Sequence, residues 1–103
     1  MKKAQVIWSD EALNDLEIIY DFMADKSQAA AQRIVESILD RSRQLEVFPI
    51  SGARQKNIKG KSKEYRYLVE GNYKIIYSHH PESQVVHVEI IFDARSNPEN
   101  LKT

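Results

Sequence analysis

The 103-residue chain contains no cysteine, which excludes a disulfide framework, a thiolate metal site and a thiol nucleophile. It has no long apolar run, so no segment reads as a membrane span. The opening stretch MKKAQVIWSDEAL carries two lysines but lacks the apolar core of a secretory leader. The expectation is a soluble, cytoplasmic protein with no membrane partner. Glycine-rich phosphate loops, an HExxH zinc motif and a nucleophile elbow are also missing, and there is no internal repeat, low-complexity segment or linker. Net charge is absent as well: 15 Lys and Arg balance 15 Asp and Glu. That balance argues against binding nucleic acid by bulk charge. The length suits one domain over residues 1–103, large enough to hide roughly two-thirds of its unfolded surface.

The zero total conceals a segregation. Between Asp10 and Asp25 stand six acids (Asp10, Glu11, Asp15, Glu17, Asp21, Asp25) and no base. Between Arg54 and Arg66 stand six bases (Arg54, Lys56, Lys59, Lys61, Lys63, Arg66) and one acid, Glu64. Opposed charged segments of this kind steer charged partners, or form ordinary solvated faces.

Periodicity divides the chain in two. Gln5–Trp8 reads as a short strand, and Ser9 as the N-cap of a helix with Asp10 and Glu11 in its first turn. Ala12, Leu13, Leu16, Ile19, Tyr20 and Met23 then follow helical spacing. After Asp25–Ser27 a second helix carries Ala31, Ile34, Val35, Ile38, Leu39, Leu45 and Phe48, and Pro49 with Gly52 ends it. The second half changes period. Arg54–Ile58 is a weak strand, Tyr65–Val69 and Tyr73–Ser78 flank the turn Glu70-Gly71-Asn72, and Gln84–Phe92 is a β-branched run expected to be the central or most buried strand. Asp93–Thr103 reads as an irregular tail. The order β-α-α-β-β-β-β implies an α+β fold, an N-terminal helical hairpin packed on one face of a small antiparallel sheet.

Few residues here carry chemistry. His79, His80 and His87 are the one cluster with metal-ligand character, but neighbours on a strand point to opposite faces, so no metal site is expected. Either His79 or His80 serves as an acid–base candidate, since imidazole titrates near neutral pH. The acids of the first helix lack an apolar pocket to raise a pKa and read as a solvated face. Trp8, Tyr20, Phe22 and Phe48 read as core. Tyr65, Tyr67, Tyr73 and Tyr77 all have odd numbers and interleave with Arg66 and Lys74. If the tyrosines face the core, Arg66 and Lys74 share the other sheet face, an arrangement suited to phosphate.

The segment Arg66-Tyr67-Leu68-Val69-Glu70-Gly71-Asn72-Tyr73-Lys74-Ile75-Ile76-Tyr77 resembles the RelE/ParE toxin superfamily pattern, an Arg-x-Leu opening a hairpin closed by Gly-x-Tyr-Arg-Ile-x-Tyr. Trp8-Ser9 with Ala12, Leu13, Asp15, Leu16 and Ile19-Tyr20-Asp21-Phe22 resembles the family's opening strand and helix. Leu45-Glu46-Val47-Phe48-Pro49 with Ser51-Gly52, and Ile90-Ile91-Phe92-Asp93-Ala94-Arg95 with Asn97-Pro98, extend the likeness over nearly the whole chain. The resemblance implies the toxin of a bacterial type II toxin–antitoxin module, a growth inhibitor neutralised by a cognate antitoxin, without a cofactor. ParE-like members inhibit DNA gyrase; RelE-like members cleave mRNA on the ribosome, without a metal. A non-toxic antitoxin-binding module is the third reading, and a homodimer or a toxin–antitoxin hetero-oligomer is compatible with all of them. For a nuclease, the resemblance assigns catalysis to Lys74, Arg95 and Arg66, with His79 and His80 as acid–base groups. Lys74 stands where the family usually has Arg, Tyr65 and Tyr67 stand where nucleases place lysines, and Leu101 stands at the tail tyrosine. These departures favour the ParE-like branch. The basic segment, Arg54, Lys56, Lys59, Lys61 and Lys63, is the expected target- or antitoxin-binding edge.

Overall fold

The computed structural model describes residues 3–55 and 64–95. Lys56, Lys59, Lys61 and Lys63 therefore lie outside the described residues, as do Leu101 and the rest of the tail beyond Arg95. The elements are β1 (Gln5–Trp8), α1 (Asp10–Ala24), α2 (Gln28–Arg43), a 3-10 turn (Gln44–Glu46), β2 (Ala53–Gln55), β3 (Tyr65–Glu70), β4 (Tyr73–His80) and β5 (Val85–Asp93). Their order is the one that periodicity implies, and the fold is α+β.

Local chemistry explains the helix limits. The Ser9 hydroxyl accepts the Ala12 N–H at 2.9 Å and donates to the Glu89 carbonyl at 2.7 Å. One side chain thus caps α1 and ties its start to β5. Ser27 caps α2 through the Ala30 N–H at 3.1 Å. Helix α2 stops at Arg43, and Leu45 is buried from the 3-10 turn that follows.

The sheet runs β1-β5-β4-β3-β2. Strands β2 to β5 pair antiparallel, as expected, but β1 lies parallel to β5. The two strands nearest the ends of the chain are thereby neighbours, a long-range pairing that no local spacing encodes. The middle position belongs to β4, not to β5 as its apolar run suggests. Ile75, Ile76, Tyr77 and Ser78 are all buried in β4, which has a partner strand on each side. On the helix side, Ala12, Leu16, Ile19 and Ile38 pack with Leu45 against Leu68, Tyr73, Ile75, Tyr77, Val86, Val88 and Ile91.

Two aromatics read as core are instead outside it. Phe22 and Phe48 are each 62% exposed. At about 100° per residue, Phe22 falls beyond the Ala12–Leu16–Ile19 stripe of α1, and Phe48 lies past the end of both helical segments.

Candidate functional site

Strand register decides where every chemically able side chain points. Gly71 adopts φ +59° at the first central position of a two-residue turn, the place a type II′ hairpin reserves for glycine. Glu70 therefore pairs with Tyr73, and every β3–β4 pair joins an even number to an odd one: Arg66 to Tyr77, Tyr67 to Ile76, Leu68 to Ile75, Val69 to Lys74. Partners opposite one another share a face. Arg66 is thus on the helix side with Tyr77, whereas Lys74 shares the outer side with Tyr67. The expectation that Arg66 and Lys74 form one cationic face fails for this reason. A three-residue connection would have kept odd with odd; the two-residue turn shifts the register by one and flips the set.

The three arginine and lysine candidates lie in three environments. The Arg66 guanidinium donates to the Gly52 carbonyl at 2.9 Å and the Ile50 carbonyl at 3.3 Å. It also pairs with Glu64 at 3.2 Å, and Glu64 reaches Arg54 at 3.2 Å. Arg54 and Arg66 stand directly opposite on β2 and β3, so Glu64 separates two like charges that would otherwise repel. The Lys74 ammonium sits over the Tyr67 ring, 4.2 Å from its centroid. Arg95 folds back on Asp93 through contacts of 2.8 and 3.0 Å. Its hydrogen bonds hold the Asp93 carboxyl below the ordinary range, and Asp93 in turn raises the Arg95 guanidinium.

His79 and His80 point to opposite sides, as alternation requires. His79 and Pro81 line two adjoining hollows. One, of about 280 Å³, includes Val47, Pro49 and Gln84; the other, of about 210 Å³, includes Ile50, Glu64 and Arg66. His80 belongs to a polar cluster on the outer side. The Ser78 hydroxyl, 2% exposed, donates to the Glu89 carboxylate at 2.8 Å and contacts His80 Nε2 at 3.0 Å. A hydroxyl has one proton to give, so a Ser78 that donates to Glu89 accepts from His80 Nε2–H. The hydrogen-bond count thus makes His80 Nε2–H the donor and orders the chain His80 to Ser78 to Glu89. The His87 ring lies 4.9 Å from that of His80. Tyr65 is close enough that the Glu89 charge, after burial, raises its phenol pKa.

Sequence inspection missed Ser78, Glu89 and the link from His87 to His80. The cluster depends on a β-bulge, where the β4–β5 register slips between Ile76 and Tyr77 and leaves Glu89 as the extra residue. The β-branched run on β5 was visible; its bulge was not. His80 is six residue steps along the strand from Lys74, about 20 Å, so the candidates do not converge on one point. Among the described residues no group of three His, Cys, Asp or Glu side chains is arranged to hold a metal ion.

One carboxylate of α1 is not a solvated bystander. Asp15 accepts the Ile91 N–H of β5 at 2.9 Å. Burial raises its pKa, the Ile91 hydrogen bond opposes that, and Glu11 adds to the rise. Among the described residues, no helix is long and apolar enough to cross a membrane.

The fold has clear relatives. It superposes on a chain of the chromosomal ParDE toxin–antitoxin system of P. aeruginosa with a TM-score of 0.74 at 18% identity, covering 90% of this chain and 98% of that one. It superposes on a chain of the RelBE2 toxin–antitoxin complex of Mycobacterium tuberculosis with a TM-score of 0.66 at 16% identity, covering 90% and 93%. For the archaeal RelE–RelB complex of Pyrococcus horikoshii OT3 the TM-score is 0.61 at 15% identity, with 92% and 99% covered. No curated protein sequence matches the chain. These likenesses carry the fold; the sequence family comes from the match of residues 6–98 to the model of the ParE toxin of type II toxin–antitoxin systems. That match spans both helices, strands β2 to β5 and all of β1 but its first residue, and the chain belongs to the ParE toxin family.

Proposed function

We propose that the chain is a growth-inhibiting toxin, neutralised by a cognate antitoxin, that acts on DNA gyrase and not by cutting RNA. One observation carries the choice of target: the three family cations are dispersed. Cleavage of a phosphodiester requires several donors aimed at one developing oxyanion, held there before reaction. Here Arg66 is committed to two carbonyls and Glu64 on the helix side, Lys74 lies over Tyr67 on the other side, and Arg95 is paired with Asp93. No common point receives them. The match to the ParE family model supports the same branch.

A second reading, ribosome-dependent mRNA cleavage, is favoured by the outer cluster. His80, His87, Ser78 and Glu89 could move protons where the cations do not stabilise charge. Controlled expression without an antitoxin separates the readings. Gyrase inhibition predicts growth arrest with a DNA-damage response, and loss of supercoiling by purified gyrase on addition of the protein. Discrete mRNA cuts mapped by primer extension, abolished by His80→Ala and His87→Ala and without DNA damage, would reverse the choice. Normal growth at good expression would leave only an antitoxin-binding module.

A further inference from the structure

His79 and His80 diverge because they are adjacent on one strand. His80 and His87 face no such bar, because they stand on different strands. Ser78 lies opposite His87, and His80 opposite Val85, so the two histidines are diagonal neighbours on one face of β4 and β5. Both are half-buried, and their ring centroids are 4.9 Å apart with the planes tilted by 56°. Zinc holds an imidazole nitrogen at about 2.0–2.1 Å, and the ring centroid lies about 1.1 Å behind that nitrogen. Two rings sharing one tetrahedral ion therefore have centroids about 5 Å apart.

The hydrogen bonds behind His80 have the form of a metal ligand's support. A ligating histidine commonly gives its other ring N–H to a carboxylate or another acceptor, which fixes the ring and its tautomer. His80 Nε2–H meets the Ser78 hydroxyl at 3.0 Å, and Ser78, 2% exposed, donates to the Glu89 carboxylate at 2.8 Å. In the neutral ring this leaves the lone pair on Nδ1. Glu89 also sets a negative charge beside the pair. Two cations of these strands are held elsewhere, Arg66 on the helix side and Lys74 over Tyr67, about 20 Å along β4 from His80. Among the described residues no third His, Asp or Glu completes a metal-binding set, so the ion's other positions belong to water.

We propose that His80, through Nδ1, and His87 bind one divalent transition-metal ion of the zinc type, with Ser78 and Glu89 as the supporting relay. Imidazole suits zinc, copper and nickel, whereas magnesium and calcium take oxygen ligands. The ion bridges β4 and β5 on the side of the sheet away from the helices. Two packed rings with no metal reach the same separation, and a metal titration tells the two apart. The inference rests on neither reading of the toxin's target.

The test uses the full-length protein, purified without a polyhistidine tag and stripped of metal. Zinc chloride is titrated into it by calorimetry, and the imidazole nitrogens are followed by NMR. One zinc per chain is expected, with the resonances of His80 and His87 moving and those of His79 still. His80→Ala and His87→Ala should each weaken binding at least tenfold, and His79→Ala should leave it unchanged. Ser78→Ala should weaken it by about 10–100-fold with both ligands in place. Because Ser78 is buried, Glu89→Gln, which keeps the side-chain volume, serves as a second break in the same relay. Zinc should raise the melting temperature of the parent and not of His87→Ala, which also shows that the variant folds. Magnesium chloride at the same concentration should move nothing. Binding weaker than about 1 mM would overturn the proposal. So would binding that survives both alanine variants, zinc held by His79, zinc bound through His80 Nε2, or one ion shared by two chains. Zinc is measured on the purified chain and toxicity in cells, so failure here is distinguishable from failure of the toxin reading.

Discussion

The Tyr77 phenol makes the edge strand β2 depend on the centre of the sheet. Its oxygen accepts the Gly52 N–H at 2.9 Å in a fully buried site, and its ring has no exposed surface. Tyr77→Phe removes the acceptor and leaves a buried N–H unpaired, a loss of about 1–3 kcal/mol. For a domain of this size, 1 kcal/mol moves the melting temperature by roughly 4–8 °C, so a 2 kcal/mol loss predicts a fall of roughly 8–16 °C. Gly52 must be glycine for a separate reason. A Cβ there would sit 2.5 Å from the Tyr67 carbonyl and 2.7 Å from the Tyr77 hydroxyl. Overpacking of this kind costs about 1–3 kcal/mol or more. In the Tyr77→Phe background, Gly52→Ala should still destabilise, because the Tyr67 carbonyl remains in place. Its increment should be smaller, because the hydroxyl clash has gone. Urea unfolding of the two single variants and the double variant measures all three quantities. A Tyr77→Phe protein within about 0.5 kcal/mol of the parent, well under the range for a lost buried hydrogen bond, would refute the assignment of that bond as a structural tie.

Other outcomes follow from the same contacts. Glu64→Gln removes the shared partner of Arg54 and Arg66, which face each other across β2 and β3. The expected cost is about 1 kcal/mol, reduced in high salt because the pairs are partly solvated; thermal melts at two ionic strengths measure it. Asp15 has its folded-state pKa raised, chiefly by burial, so the folded chain binds more protons than the unfolded one between pH 3.8 and that raised value. Its contribution to stability therefore improves as pH falls through this window. Asp93, with its pKa lowered by Arg95, works in the opposite direction and loses its contribution as pH falls through its folded value. Against the parent, Asp15→Asn should gain relative stability as pH rises from 3 to 6, and melting curves with no such drift would contradict the burial of that carboxyl.

The legible part of the fold was the local part. Helical spacing of Ala12, Leu16 and Ile19, the caps at Ser9 and Ser27, and the strands about Gly71-Asn72 all follow from near-neighbour chemistry, and the structure has them. The site was less legible. Alternation correctly separated His79 from His80, because adjacent residues on a strand always diverge. It could not relate Arg66 to Lys74, because that depends on whether two or three residues make the turn. Phe22 shows a different limit: its apolar ring reads as core, but its angle on α1, beyond the Ala12–Leu16–Ile19 stripe, leaves it exposed.

By itself, then, the sequence determined the elements, their order and the family, since these rest on spacings of a few residues and on motifs written along the chain. Tertiary structure alone decided which of those elements meet. It set β1 parallel beside β5, gave β4 the central place and slipped the β4–β5 register so that Glu89 reaches Ser78, which in turn meets His80. It also dispersed Arg66, Lys74 and Arg95 that the motif had seemed to unite. The physical reason is that a one-residue change in register costs little locally but reverses every side chain on a strand, and only the packed core chooses between the two.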